Sequence, residues 1–361
     1  MLLVVYKNHR AFETFSKSLD LKKLFFFISI LLVFPFTACQ DVQTNSDQNE
    51  RYILPIPSGF PEPVFPADNE LTPARIALGK KLFYDSLLSR DSSISCNSCH
   101  KQEFAFSDTL SVSPGVEGKL GKRNAMSLIN LAYTQKANRD GGVPKLDLQA
   151  IVPIETEEEM DFSTEEISKR LQQIPEYLAL FEKAYGRSPD AFTITRALGA
   201  FQRTFISGNS PYDQYEFQGS KNALNESALR GRDLFFSKRL DCSSCHSGFN
   251  FTSQEFANNG RYEQYADNGR RDVTLAEEDI GKFKIPTLRN VALSAPYMHD
   301  GSLGSLEEVI DHYDSGGKNH PNKDERIRPL DLTEQEKGDL LHFLEALTDS
   351  TFLNNPAYQV N

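Results

Sequence analysis

One five-residue pattern occurs twice in the chain, as Cys96-Asn97-Ser98-Cys99-His100 and as Cys242-Ser243-Ser244-Cys245-His246. It constrains the fold more than any other feature. Cys-x-x-Cys-His is the attachment signature of a c-type haem. Two thiols one helical turn apart can form thioethers to the two haem vinyl groups, and the adjoining histidine then faces the iron as its proximal ligand. A chain with two such sites is expected to be a two-haem redox protein. Each haem would supply much of the core around it, which suits long loops and few regular elements. Zinc is the competing reading. A structural zinc site needs four N/S ligands, usually from two converging Cys pairs. Here the pairs lie far apart and each carries its own histidine. A redox dithiol, the other alternative, needs no following histidine.

The fifth cysteine, Cys39, follows an apolar run from Leu24 to Phe36 that is preceded by Lys22 and Lys23. The run is too short to span a bilayer but suits the h-region of a signal peptide. It ends in Phe36-Thr37-Ala38-Cys39, which resembles a bacterial lipobox with Phe where Leu is more usual. The expectation is a signal peptide over 1–39, a lipidated Cys39 at the mature N-terminus and a flexible tether over 40–64 that begins with the polar, aperiodic stretch Gln40–Glu50. The alternative, an unprocessed buried cysteine, fits poorly with the hydrophilic sequence that follows at once. Covalent haem attachment also occurs outside the cytoplasm, so both features point to a periplasm-facing protein held to a bacterial membrane by lipid alone. A formal net charge of −11 argues against nucleic-acid binding.

The two halves resemble each other. Gly79-Lys80-Lys81-Leu82-Phe83 precedes the first motif and Gly231-Arg232-Asp233-Leu234-Phe235 the second. Downstream, Ala125 to Asn130 aligns with Ile285 to Asn290. The same register pairs Arg139-Asp140-Gly141 with His299-Asp300-Gly301, and Leu146-Asp147 with Leu306-Glu307. Helix starts are marked by Thr72 before Pro73 and by Asn225. Capping boxes at Ser163/Glu166 and Thr333/Glu336 predict helices running to about Lys183 and to Leu347. Another is expected within Pro189–Phe205. Strand signals are scarce. The class is mainly α, with a first haem domain over 65–210, a second over 211–350 and a tail over 351–361.

From Phe65 to Leu347 the chain resembles the bacterial di-haem cytochrome c peroxidase family, including its MauG-like members. The two Cys-x-x-Cys-His runs carry the resemblance, with Phe104-Ala105-Phe106-Ser107-Asp108, Arg123-Asn124, Asp140-Gly141, Gln149, Glu159-Met160, Pro286 to Asn290 and Ala295 to Ser302. It implies two tandem class-I cytochrome-c-like domains, each with one covalent haem c. Hydrogen peroxide would react at the N-terminal haem. The C-terminal haem would accept electrons from a small periplasmic donor, a cytochrome c or a cupredoxin. Dimerisation is common in the family, although no apolar stripe here marks a homodimer interface.

The resemblance puts Glu159 and Gln149 on the distal side of the first haem, where Glu159 would pass a proton between the two peroxide oxygens. Read locally, Glu155, Glu157, Glu158, Glu159 and Asp161 form an acidic run before a helix, where carboxylates also favour the N-terminal dipole. Many relatives close the resting peroxide site with a histidine in the loop after the first motif. This chain has no histidine between His100 and Glu159, so an open site is expected. At the second haem the family spacing lands on Tyr313, a candidate distal ligand, with Met298 and His312 as alternatives and simple packing as another. The repeat pairs Tyr313 with Pro153, which cannot ligate. His299 is expected to organise propionates or water near the second haem.

A tryptophan that often lies between the haems in the family is replaced here by Arg139, and the chain contains no tryptophan. A calcium ion is implied between the domains, with Asn124, Ser294 and Pro296 at its ligand positions. Turn chemistry would also explain those residues. Three functions follow: a peroxidase, a MauG-like oxidase of a partner protein, and a two-haem electron carrier.

Overall fold

The computed structural model describes residues 50–360. The expected signal peptide, lipobox and Cys39 lie outside the described residues. Its longer helices are α1 (Pro73–Tyr84), α2 (Thr164–Gln172), α3 (Pro175–Tyr185), α4 (Ala191–Gln202), α5 (Glu226–Phe235), α6 (Leu306–Asp314) and α7 (Glu334–Glu345). A two-stranded antiparallel ribbon joins β1 (Phe256–Ala257) to β2 (Phe283–Lys284). The rest is short helical turns and loops. No described helix is long and apolar enough to cross a membrane.

The helix ends follow the sequence. Thr72 accepts from the Arg75 amide, with Pro73 in the first turn of α1, and Asn225 accepts from the Ala228 amide at the start of α5. Thr333 and Glu336 form the reciprocal box at α7. The single run expected from Ser163 to Lys183 is instead two helices. Pro175 pushes Ile174 into extended backbone, which ends α2 and starts α3.

Each half is built on one crossing of two helices, α1 on α4 and α5 on α7. Both crossings depend on the glycine that begins the repeated phrase. A Cβ on Gly79 would lie 1.9 Å from the Ala197 carbonyl oxygen, and one on Gly231 would lie 1.9 Å from that of Asp339. Backbones this close leave no room for a side chain. The loops repeat as well. Asn130 and Asn290 both adopt left-handed backbone, at φ 55° and 54°. Their amides donate to equivalent acceptors, Phe205 O and Leu347 O.

Two apolar cores result. One gathers Leu78, Leu82, Phe83, Phe106, Phe201 and Phe205. The other gathers Phe235, Phe251, Ile310, Leu340 and Phe343. Each is braced by a buried carboxylate–guanidinium pair, Asp147 with Arg203 and Asp213 with Arg289. Fork-to-fork pairing lets these charges sit inside the protein.

Two segments differ from expectation. The tether does not stay free through residue 64, because Leu54 and Phe60 are buried and the Tyr52 main-chain amide donates to Leu71 O. Apolar residues between the prolines give this stretch something to bury. The tail also folds back: Phe352 and Tyr358 enter the first core, and Gln102 donates to the carbonyls of Phe352 and Asn355.

Candidate active site

Each Cys-x-x-Cys pair occupies one helical turn, Cys96–Cys99 and Cys242–Cys245, with the histidine at its C-terminal end. The His100 Nδ1 lies 2.8 Å from Phe106 O. The His246 Nδ1 lies 3.2 Å from both Phe251 O and Pro286 O. Carbonyls only accept, so Nδ1 carries the proton in both rings and Nε2 presents a lone pair. Phe106 and Phe251 turn their carbonyls inward through left-handed backbone, at φ 56° and 49°.

Desolvation lowers the pKa of both imidazoles, that of His246 to about 4, so both rings are neutral. It raises the thiols, Cys96 and Cys242 each to about 12. Among the described residues no group of three or more His, Cys, Asp or Glu could hold a metal ion, so the Cys pairs do not converge. Paired thiols on one turn beside an imidazole with a free, oriented lone pair do fit a covalent haem at each motif.

Glu159 lies near the first motif. Its carboxylate raises the pKa of both Cys96 and Cys99, so it lies within electrostatic reach of them. The residue is exposed, yet desolvation of the carboxyl, and then the charge of Glu158, push its pKa above the ordinary glutamate value. Its carbonyl accepts from the Val116 amide at 2.8 Å. A Cβ on Gly115 would meet the carbonyl oxygens of Glu158 and Glu159 at 2.2 and 2.5 Å. The loop after the motif is thus pressed against the backbone that carries Glu159. Gln149 ends the turn Leu146–Gln149, which the Asp147–Arg203 pair anchors, and its amide lies 3.4 Å from Asn138 Oδ1. No hydrogen bond joins Gln149 to Glu159 among the described residues.

Tyr313, on α6, lies near the second motif. Burial pushes its phenol up to about 12, and the thiols of Cys245 and Cys242 add to the shift while the Asn259 amide opposes it. The alternative ligands are otherwise engaged. His312 donates through Nε2 to Asn259 O at 3.0 Å, and the Met298 sulfur accepts from Asn259 Nδ2 at 3.1 Å. Asn259 thus ties three candidates together, and no sequence motif marked it. His299 stacks on Phe283 with ring centres 4.2 Å apart and sits beside Tyr262 and Tyr265. Desolvation lowers its pKa.

Asn124, Arg139, Lys284, Ser294, Pro296 and Met298 line a single cavity where the two halves meet. Calcium needs six to eight oxygen ligands. Asn124 cannot contribute freely, because the Arg139 guanidinium donates to its side-chain Oδ1 at 2.9 Å and to its main-chain oxygen at 3.1 and 3.2 Å. Asn124, Ser294 and Pro296 line the same cavity, as expected, but Asn124 is held by a protein cation. This donor set does not fit the calcium ion that the resemblance implied. Close by, Arg123 bridges the halves by pairing with Asp140 and, bidentately, with Asp267. Asp267 stands in no motif, and only the folded chain reveals its role.

Residues 73–222 match the family model described as di-haem cytochrome c peroxidase. The chain is 37% identical over 319 residues to the methylamine utilization protein MauG of Methylorubrum extorquens, which covers 86% of this chain and 90% of that one. It is 36% identical over 321 residues to the cytochrome-c peroxidase IdrP1 of Denitromonas iodatirespirans, covering 80% of this chain and 85% of the other. A solved MauG-like protein associated with microbial copper homeostasis superposes with a TM-score of 0.80 at 34% identity, over 85% of this chain and 99% of that one. The likeness reaches both halves and both named branches, and the chain belongs to the di-haem cytochrome c peroxidase family of oxidoreductases.

Proposed function

We propose that the protein reduces hydrogen peroxide to water at a haem carried by Cys96, Cys99 and His100. Electrons would enter from a small periplasmic donor, a cytochrome c or a cupredoxin, and pass through a second haem on Cys242, Cys245 and His246. The two haems define two class-I cytochrome-c-like domains, 65–210 and 211–350. Lipidation at Cys39 would hold the protein at the periplasmic face of a bacterial membrane.

The observation that carries this reading is the asymmetry between two otherwise repeated sites. A carboxyl group with a raised pKa lies near the first motif, and a buried phenol lies near the second. When bound, the haems supply the redox chemistry. Reduction of peroxide to two waters consumes two electrons and two protons, and the protein must manage the protons. Glu159 can accept one from the near peroxide oxygen and return it to the far one, which then leaves as water. Its raised pKa brings it closer to working pH, where both halves of that exchange are easy. The neighbouring loop supports an open peroxide site. It contains no histidine, and it is pinned by Asn124 Nδ2 on Leu110 O, by Ser113 on Asp108 and by Gly115 against the Glu158–Glu159 backbone.

The test is steady-state oxidation of a reduced cytochrome c by peroxide with the holoprotein. Turnover from the fully oxidised resting state, with no lag and no prior reduction, is the expected result. No turnover with any small donor would refute the reading.

Tyr313 favours a second reading. A tyrosinate on the second haem would stabilise ferric iron and lower its potential, which suits a MauG-like oxidase more than a relay. Oxidised side chains on a co-expressed partner, without cytochrome c turnover, would select it.

A further inference from the structure

We propose that the Arg139 guanidinium is a built-in cation that replaces a divalent ion between the two halves, so that this protein binds no calcium there. Asn124 is the node of the seam. Its main-chain and side-chain oxygens both accept from Arg139, and its amide donates to His299 O at 2.8 Å. Arg139 and His299 are equivalent positions of the internal repeat, so the two halves grip the same residue from corresponding places. The link continues through the main chain, where the Lys284 amide donates to Arg139 O at 2.6 Å.

Charge supports the same conclusion. The nearby carboxylates Asp140 and Asp267 are already paired with Arg123. Arg139 has no carboxylate in hydrogen-bond contact, and Asp300 and Asp267 act on it only at longer range. Lys284 lines the same cavity and is itself desolvated next to Arg139. A divalent ion entering here would meet two cations and find the Asn124 oxygens occupied. A planar guanidinium fork can span two oxygens of one residue and needs no further ligands or waters, whereas calcium requires a full oxygen shell.

The test uses holoprotein equilibrated with millimolar calcium chloride, desalted and analysed for metal. Thermal unfolding is then compared in chelator and in calcium. The wild type is expected to hold no stoichiometric calcium and to unfold at the same temperature in both. About one calcium per chain, or a Tm that falls in chelator, would overturn the proposal. Arg139→Ala is expected to lower Tm by about 5 °C in chelator and to regain part of the loss when calcium is added. An R139A protein as stable as wild type, or one that ignores calcium, would also overturn it. If R139A does not fold, Arg139→Gln serves in its place with the same expected outcomes. These readouts do not involve turnover, so they stand or fall separately from the proposed activity.

Discussion

Replacing Glu159 by glutamine is expected to lower kcat/KM for peroxide by about 10²–10⁴ while both haems stay attached, because an amide of the same shape cannot relay a proton. The fold has little reason to change. The contacts that lock the neighbouring loop use the main-chain oxygen of Glu159, through the Val116 amide and the close approach of Gly115, and not the carboxylate. The pH profile carries a second signature. Glu159 must be ionised to accept the first proton, so the rate should rise with pH through its pKa. Desolvation of the carboxyl and the charge of Glu158 together raise that pKa. The acid limb is therefore expected above the ordinary glutamate range. Glu158→Gln, which removes a repelling charge, should move the limb to lower pH without abolishing activity. E159Q should remove the limb along with most of the rate. An E159Q enzyme that turns over at the wild-type rate would exclude this carboxylate from the chemistry.

Gly231→Ala is expected to destabilise the holoprotein by about 3 kcal/mol or more, seen as a fall in Tm of roughly 5–10 °C. The new methyl group would sit 1.9 Å from the Asp339 carbonyl oxygen and 2.9 Å from the Phe343 Cβ. Neither neighbour can give way cheaply. One is helix backbone, and the other belongs to a phenyl group with no accessible surface at the centre of the second core. The helices α5 and α7 would have to part. Gly79→Ala should act in the same way on α1 and α4, through Ala197 O and the Phe201 Cβ. Gly338 is the internal control. It lies on α7, and a Cβ there meets nothing within 4 Å, so alanine should be neutral or stabilising by about 0.5–1 kcal/mol. Equal stability of G231A and wild type in thermal unfolding would contradict the close crossing.

The glycines show what could be read from the chain alone. The repeated phrases around Gly79 and Gly231 mark equivalent helices, but only the fold shows that both glycines are contact points. Local chemistry was readable throughout. The two attachment motifs, the caps at Thr72, Asn225 and Thr333, and the histidine-free loop all depend on residues close in sequence. The Pro175 break was readable too, but the capping box at Ser163 and the amphipathic run beyond it pointed past it. What stayed hidden depends on distant partners. Phe352 and Tyr358 look like tail residues until the first core takes them in. Asn259 carries no motif, yet it engages the neighbours of the second site. Asn124 could be placed beside Ser294 and Pro296 by resemblance, while the donation of the Arg139 guanidinium to the Asn124 oxygens could not. A guanidinium and a hydrated ion can meet the same oxygens, and sequence spacing does not distinguish them.

An open, peroxide-reactive haem at the first motif should be visible in the EPR spectrum of the fully oxidised holoprotein. The expected result is a high-spin ferric signal from the first haem that disappears on addition of one equivalent of peroxide, with no prior reduction. Two low-spin haems that ignore peroxide would contradict it, since a ligand other than a loop histidine would then close the site near Glu159.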